Sequence, residues 1–269
     1  MQGALKQEET FLKVFADFTK TFQQLGAGQL QAQKCAKKVM SAITDAEVLE
    51  DAEKTIKQFF IDERLDGQSV FEIIIKNLHE RIEIIFEQVK PCLKDINGIV
   101  IDYGCGSGLL AQIVHDRLGL TLEGVDVRDF RSPEVAVKIK IFDGYSVPVS
   151  DRYYECAILT NVIHHEVDNE KILAELNRIV SKRLVIIETV PEADTEELAQ
   201  KDWGRMLLND ALWNRFFNYA NIPVPGTYET PFTWVRRFEK YGWRCVLSKD
   251  LGFDQPMIQD RHHLMVFER

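Results

Sequence analysis

Long apolar runs and paired cysteine motifs are both missing from this chain of 269 residues. No stretch approaches the roughly eighteen uninterrupted apolar residues of a transmembrane helix, so we expect no membrane span. The five cysteines are odd in number and show no Cys-x-x-Cys spacing, which argues against both a disulfide framework and a zinc knuckle. The first ten residues lack the basic-then-apolar pattern of a signal peptide, and we expect a cytoplasmic protein with reduced thiols.

Positive charge is also in short supply. The chain has 33 lysines and arginines against 42 aspartates and glutamates, a formal net charge of −9. An acidic chain has no broad electrostatic attraction to a phosphate backbone, so we expect no nucleic-acid partner. A local basic patch stays open, and so does a homodimer.

A glycine-rich turn between two short apolar runs is the most informative feature that is present. Residues 100–108 (VIDYGCGSG) predict a strand, a turn and the start of a helix. Residues 122–126 (LEGVD) predict a second strand that ends in a carboxylate. Three glycines at alternate positions lack β-carbons, so a ligand can lie against the backbone where the helix begins. Asp126, about twenty residues after the turn, is placed to accept hydrogen bonds from two ribose hydroxyls.

The spacing within the turn differs from that of the nicotinamide fingerprint. That fingerprint has its third glycine three residues after the second, whereas Gly106 and Gly108 are only two apart. Asp102 precedes the turn, and the pattern Asp-x-Gly-x-Gly-x-Gly with a later ribose carboxylate resembles the first motif of class I S-adenosylmethionine-dependent methyltransferases. The resemblance is to the small-molecule, type 11 and 12 members and extends over roughly residues 99–190.

The resemblance implies S-adenosylmethionine as the cofactor. The turn would face its methionine end and sugar, Asp102 would anchor the loop and reach the amino group, and Asp126 would hold the ribose. Asp143 follows the third predicted strand, where the family places an acid near the adenine amino group; a turn-forming role beside Gly144 is equally open. The implied cofactor-binding residues are Asp102, Gly104, Cys105, Gly106, Gly108, Asp126, Val127, Asp143, Gly144 and Asn161.

Two adjacent histidines, His164 and His165, follow the fourth predicted strand, which in the family topology lies over the reactive sulfonium. Histidine, with a pKa of about 6.5, suits general-base work. We expect a catalytic role for one of them, with His165 favoured. Methyl transfer can also proceed without a base, through alignment of the reactants and exclusion of water. In that case the histidines would be structural, with His164 packed under the sheet edge and His165 capping the next helix. Adjacent histidines rarely share one ion, so we expect no metal site.

The chain divides at about residue 90. Residues 1–90 show four amphipathic helices and no convincing strand, which makes them a candidate helical cap; Ser69 and Glu72 predict a capping box at the start of the fourth helix. Residues 91–269 alternate short β-rich runs with helices, which predicts an α/β, Rossmann-like, doubly wound sheet. The methyltransferase resemblance implies seven strands with the last one antiparallel.

An aromatic-rich insertion at residues 189–230 is where this family builds a lid or acceptor pocket. The aromatic side chains of the insertion could instead be buried against the N-terminal helices. Arg205 and Arg215, within the insertion, and Arg236, after it, could anchor an acidic substrate group, although isolated arginines are more often surface residues. The candidate substrate-binding residues are Trp203, Trp213, Phe217 and Tyr228.

The function implied is methyl transfer from S-adenosylmethionine to a small-molecule acceptor. Oxygen is preferred over nitrogen or carbon as the acceptor atom, because the histidine pair supplies a base. No Asn-Pro-Pro-Tyr or Asp-Pro-Pro-Tyr follows the fourth predicted strand, which removes the usual signature of amino-methylation of adenine or glutamine amides. The alternative is a non-catalytic cofactor-binding module or a fold relative that uses the cofactor for other chemistry.

Overall fold

The computed structural model of this protein describes residues 8–192, 195–217 and 222–269. Its α-helices are α1 (Glu8–Gln24), α2 (Gln29–Asp45), α3 (Leu49–Asp62), α4 (Val70–Val89), α5 (Leu109–Leu118), α6 (Asn169–Ile179), α7 (Glu196–Ala211) and α8 (Pro231–Lys240). Its strands are β1 (Arg64–Leu65), β2 (Gln68–Ser69), β3 (Val100–Tyr103), β4 (Leu122–Asp126), β5 (Lys138–Ile141), β6 (Tyr154–Thr160), β7 (Val180–Val190), β8 (Arg244–Gly252) and β9 (Arg261–Glu268). No helix of the described residues is long and apolar enough to cross a membrane.

The chain forms two compact units. The first comprises the N-terminal part to Arg81 together with residues 191–226 and 253–261. The second comprises residues 82–190, 227–252 and 262–269. The boundary falls inside α4, and residues 191–226 of the aromatic insertion belong to the same unit as the N-terminal helices. The division into a cap and a catalytic domain near residue 90 stays a prediction.

The first unit is built around helices α1 to α3. The predicted apolar stripe of α1 is confirmed, since Val14, Phe18 and Phe22 are fully buried. The Phe22 ring packs against two aromatic rings of α3, with ring centroids 6.2 and 6.3 Å apart. The capping box of α4 is also confirmed, because the Ser69 amide donates to Glu72 Oε2 at 2.9 Å and the Glu72 amide to Ser69 Oγ at 3.2 Å.

Thr44 and Asp45 lie at the end of α2, and the N-cap residue of α3 is Val48. One expectation for this unit is wrong. The segment expected to lack strands contains the short antiparallel pair β1 and β2. Its turn is the dipeptide Asp66-Gly67, with φ of 48° and 86°, the left-handed geometry that two-residue hairpins require.

The second unit contains a seven-stranded sheet with the order β5-β4-β3-β6-β7-β9-β8. Strands β3 to β7 are parallel, and β9 is antiparallel to both β7 and β8. This confirms the predicted Rossmann-like sheet with its last strand antiparallel. Strand order reverses at β3, which pairs with β4 on one side and β6 on the other, so ligands are expected beyond the carboxyl ends of these strands.

Strand β7 is longer than the sequence predicted. It follows α6 directly and runs for eleven residues, whereas only Leu184–Ile187 was expected to be extended. Ser181 and Lys182, which are partly buried, and Arg183, which is buried, interrupt the apolar pattern in the first half of the strand. The strand ends near Glu188 and Val190, which places an acidic residue at the carboxyl edge of the sheet.

Candidate functional site

The glycine turn lies between the end of β3 and the start of α5. All three of its glycines have positive φ: 72° at Gly104, 50° at Gly106 and 73° at Gly108. The amides of Gly104 and Cys105 both donate to the carbonyl oxygen of Val125, at 2.8 and 3.0 Å. The turn is therefore tied to β4, and its left-handed backbone explains why glycine is needed at each position.

The three glycines differ in what surrounds them. A β-carbon at Gly104 would lie 2.7 Å from the side chain of Val162, and one at Gly108 would lie 2.8 Å from that of Ile139. At Gly106 nothing lies within 4 Å. Two of the glycines are thus required by packing, and only Gly106 presents bare backbone to open space where a ligand can approach.

Asp126, at the end of β4, holds the turn from the other side. Its Oδ2 accepts the amide of Gly106 at 2.7 Å, and its Oδ1 accepts the amide of Val127 at 2.7 Å. Burial raises the pKa of Asp126, although these backbone hydrogen bonds oppose the shift. The amide of Arg128 also hydrogen-bonds to Asp126, so of about four lone pairs on the carboxylate one remains for a ribose hydroxyl. The ribose-binding role of Asp126 and a contact through the half-exposed Val127 stay predictions.

One carboxylate oxygen of Asp102 has no hydrogen-bond partner among the described residues. The residue is 2% exposed in β3, and its Oδ2 is buried without a hydrogen-bond partner among the described residues. Burial, and then the charge of Asp126, raise the pKa of Asp102 to about 7. A buried oxygen without a donor is rare and calls for a ligand. Together with the open face at Gly106, Asp102 fits a cofactor that has an ammonium group.

Asp143 and Gly144 form the loop that follows β5. Oδ1 of Asp143 accepts the amides of Ser146 at 2.7 Å and Tyr145 at 2.8 Å, and these hydrogen bonds lower its pKa. Gly144 has φ of 92°, and its carbonyl oxygen accepts the hydroxyl of Tyr103 at 3.1 Å. Asp143 therefore forms the turn, and its contact with adenine stays a prediction.

Asn161 follows β6 with a left-handed backbone, at φ of 56°. Its amide donates to the carbonyl of Ile187 at 2.8 Å, and its Oδ1 accepts the hydroxyl of Thr189 at 3.4 Å. Such a conformation costs about 1–3 kcal/mol in a non-glycine residue and is concentrated at functional sites. The next residue, Val162, contacts the glycine turn at Gly104, so this segment lies beside the candidate cofactor site.

A buried histidine–carboxylate pair lies at the ends of β6 and β7. Nδ1 of His164 is 2.5 Å from Oε2 of Glu188, and the two residues are 1% and 0% exposed. Oε1 of Glu188 accepts the amides of Val162 at 2.9 Å and Ile163 at 2.7 Å. Burial favours the neutral carboxyl, but the charge of His164 and these hydrogen bonds outweigh it and lower the pKa of Glu188. Glu188 is therefore an ionised acceptor that orients the His164 ring.

The second histidine and one candidate substrate residue lie against this pair. The His164 ring is 4.2 Å from the ring centroid of His165 and stacks on Tyr228 at 5.4 Å with an interplanar angle of 30°. The Thr227 hydroxyl donates to the His164 carbonyl at 2.9 Å, which holds Tyr228 in place. The alternative in which His165 caps α6 is wrong, because the N-cap residue of α6 is Asp168.

The other candidate substrate residues belong to the first unit. Trp203 is 41% exposed on α7, and its Nε1 donates to the carbonyl of Gly226. Trp213 is 8% exposed and packs in the apolar core with Leu208 and Leu212, as the core interpretation expects. The side chain of Phe217 lies outside the described part of the chain. Substrate contacts by these residues stay predictions.

Two of the arginines expected to anchor an acidic substrate already have acidic partners. Arg205 is 4% exposed; its Nε donates to Asp202 at 2.7 Å and its Nη1 to Asp17 at 3.0 Å. Arg215 donates to Glu53 at 2.7 Å. We therefore correct the expectation, since both guanidinium groups serve the packing of the first unit.

Glu188 is the site residue that sequence reasoning missed as a partner for His164. The absence of a metal site stays a prediction. The sequence does contain a signal for this partner. Glu188 is the single acidic residue in the apolar run Leu-Val-Ile-Ile-Glu-Thr-Val at residues 184–190, and a carboxylate needs a partner once its strand is buried.

Residues 77–248 match the family model described as a methyltransferase domain. No curated protein matches the chain in sequence. Several solved structures share its fold at low sequence identity.

Geranyl diphosphate C-methyltransferase from Streptomyces coelicolor A3(2), solved with Mg²⁺, geranyl diphosphate and S-adenosyl-L-homocysteine, is 13% identical with a TM-score of 0.56, over 81% of this chain and 98% of that chain. A geranyl diphosphate methyltransferase in complex with S-adenosylmethionine is 14% identical with a TM-score of 0.56, over 78% and 94%. The 4+2 cyclase SpnF is 12% identical with a TM-score of 0.51, over 69% and 79%. With its matched domain covering more than half of its length, this chain belongs to the methyltransferase-domain family of class I fold, and its cofactor is S-adenosylmethionine.

Proposed function

We propose that this protein transfers the methyl group of S-adenosylmethionine to an oxygen atom of a small-molecule acceptor. The observation that carries the proposal is the buried pair of His164 and Glu188 beside the glycine turn. A hydroxyl acceptor must lose its proton as the new bond forms, and a positioned histidine removes it at neutral pH. Neither the glycine turn nor the two acidic residues near it provides such a base.

The orientation of the imidazole follows from its partner. Because Glu188 is ionised and accepts only, a neutral His164 ring would carry its hydrogen on Nδ1, and Nε2 is the ring atom that would take up a proton. The ring of His165 packs against that of His164 at a tilt of 43°, and His165 is the second candidate for the base. When bound, the cofactor supplies an electrophilic methyl group on a sulfonium. The residues of the chain contribute alignment, water exclusion and proton removal.

The donor side of the site is assigned to the glycine turn. Asp102 would accept from the amino group of the cofactor, Gly106 would lie against it, and Asp126 would hold the ribose. Support for these roles comes from the buried oxygen of Asp102, the open face of Gly106 and the one lone pair that Asp126 retains. Asn161 would lie at the edge of this site.

The acceptor side is assigned to the aromatic residues around the histidines. Tyr228, stacked on His164, would form one wall of the acceptor pocket. An acceptor with an apolar surface fits these rings. A small molecule is favoured over a nucleic acid because of the net charge of −9.

The decisive experiment uses S-adenosylmethionine with an isotopically labelled methyl group. The full-length protein is incubated with a metabolite extract, products are followed by mass spectrometry, and the labelled carbon is located by NMR. We expect one small molecule to gain one labelled methyl on oxygen. A label on carbon or nitrogen would overturn the acceptor atom. Cofactor binding without transfer would favour a binding module or other chemistry on this fold, for which the cyclase SpnF is a structural example.

A further inference from the structure

Arg81, in α4, is a partly buried arginine whose one hydrogen bond among the described residues goes to a neutral side chain. Arg205 and Arg215 each have acidic partners, as described above. Among the described residues, Arg81 makes a single hydrogen bond, from Nε to Oε1 of the neutral side chain of Gln255, and it has no ion pair. Its two terminal nitrogens are thus left without protein acceptors in the described part of the chain.

The side-chain amide nitrogen of Gln255 is the second polar group that lacks a hydrogen-bond partner in this part of the structure. Its side chain is 2% exposed, and its Nε2 is buried without an acceptor among the described residues. Nε2 and Oε1 belong to the same planar amide, so this donor lies next to the guanidinium that Oε1 contacts. Buried amide donors almost always have an acceptor. Nε2 of Gln255 has none among the described residues, and the same holds for the terminal nitrogens of the neighbouring Arg81.

The positive charge of Arg81 also favours a bound anion at this position. Burial lowers the pKa of Arg81 to about 10, and the charge of Asp254 raises it by less. A cation taken out of water needs a counter-ion close by. Arg81 keeps part of its surface exposed, so a small ion can reach it from solvent.

We propose that Arg81 and Gln255 form a binding site for a small oxyanion, a carboxylate or a phosphate group. Its oxygens would accept hydrogen bonds from the terminal guanidinium nitrogens of Arg81 and from Nε2 of Gln255. The planar guanidinium fork suits two-oxygen acceptors, and anions that accept from it form strong hydrogen bonds. Asp254 limits the negative charge that the site tolerates. The site is separate from the proposed methyl transfer and does not depend on it.

The test is a titration of the full-length protein, without cofactor, with sodium acetate and with sodium phosphate. Sodium chloride at matched ionic strength serves as the reference, because salts also act non-specifically on stability. We expect at least one of the two anions to raise the melting temperature saturably at millimolar concentration. A response to acetate alone assigns a carboxylate site, and a response to phosphate alone assigns a phosphate site.

The variants Arg81→Met and Gln255→Leu should each weaken the anion response about tenfold or more, which is the loss of one charge-assisted contact. Arg81→Lys, which keeps the charge without the fork, should retain part of it. Arg236→Met removes an exposed arginine of α8 and is the matched control, expected to respond like the wild type. The proposal is overturned if neither anion exceeds chloride in the wild type, or if the folded Gln255→Leu and Arg81→Met variants respond unchanged.

Discussion

The side chains of His164 and Glu188 meet across two neighbouring parallel strands, with Nδ1 and Oε2 only 2.5 Å apart. The register of the sheet produces this contact, because Thr160 of β6 pairs with Ile187 of β7, and each functional residue follows its strand partner within four positions. Glu188 accepts two further backbone amides and has no contact with solvent. The pair is therefore rigid, and the ring of His164 has one fixed orientation.

The two histidines should differ in importance. We expect His164→Ala to lower kcat by about 100-fold, the lower range of general acid–base effects, and to do so more than His165→Ala. The affinity for S-adenosylhomocysteine should change less than about threefold in both variants, because the cofactor is assigned to the glycine turn. Steady-state kinetics and calorimetric titration measure the two effects. If His165→Ala is the slower enzyme, His165 is the base.

Gly106 and Gly119 form a matched pair for testing the cofactor site. Both have positive φ and open space where a β-carbon would lie, but Gly119 caps the far end of α5. Alanine at either position should cost roughly 1–2 kcal/mol in the free energy of unfolding, because of the left-handed backbone.

Only Gly106→Ala should also weaken S-adenosylhomocysteine binding, by about tenfold or more, since its methyl group would occupy the face assigned to the ligand. Chemical denaturation and calorimetric titration report the two quantities separately. Equal affinities in the two variants would remove the glycine turn from the cofactor site.

Asp102 should make stability depend on pH. Its pKa is about 7 in the folded protein and about 3.9 in an unfolded chain, so between these values the folded state keeps a proton that the unfolded state has lost. The free energy of unfolding without cofactor should therefore fall as pH rises from about 4 to 7, by at most about 1.4 kcal/mol per unit, and then level off.

The variant Asp102→Asn isolates this effect. Burial also raises the pKa of Asp260 to about 7, but that group is present in both proteins and cancels in their difference. Urea unfolding at several pH values should show the wild type losing stability relative to Asp102→Asn as pH rises toward 7. A difference that does not vary with pH would show that Asp102 is already ionised in the folded protein.

Local signals allowed much of the fold to be predicted from the sequence. Helix α5 has the bounds expected for it, Leu109–Leu118, and the capping box of Ser69 and Glu72 has the expected partners. The glycine turn has the expected position between a strand and a helix. In each case the determining residues lie within a few positions of one another, so their spacing alone specifies the geometry.

Non-local contacts could not be predicted in the same way. His164 and Glu188 are 24 residues apart, and only the sheet register brings them together. Trp213 and Arg205 were read as candidates for the acceptor pocket, but packing and ion pairs within the first unit occupy both. The sequence of an insertion does not indicate which residues its aromatic and charged side chains will contact.

The most direct test of this account is the methyl-transfer rate of Glu188→Gln with a saturating concentration of the acceptor that the labelling experiment identifies. Glutamine keeps the shape of the side chain and removes the charge that orients His164. We predict that kcat falls by about 100-fold, that the affinity for S-adenosylhomocysteine is kept, and that Glu239→Gln, an exposed control in α8, transfers methyl groups at the wild-type rate. A Glu188→Gln enzyme as fast as the wild type would contradict the assignment of this pair to proton removal.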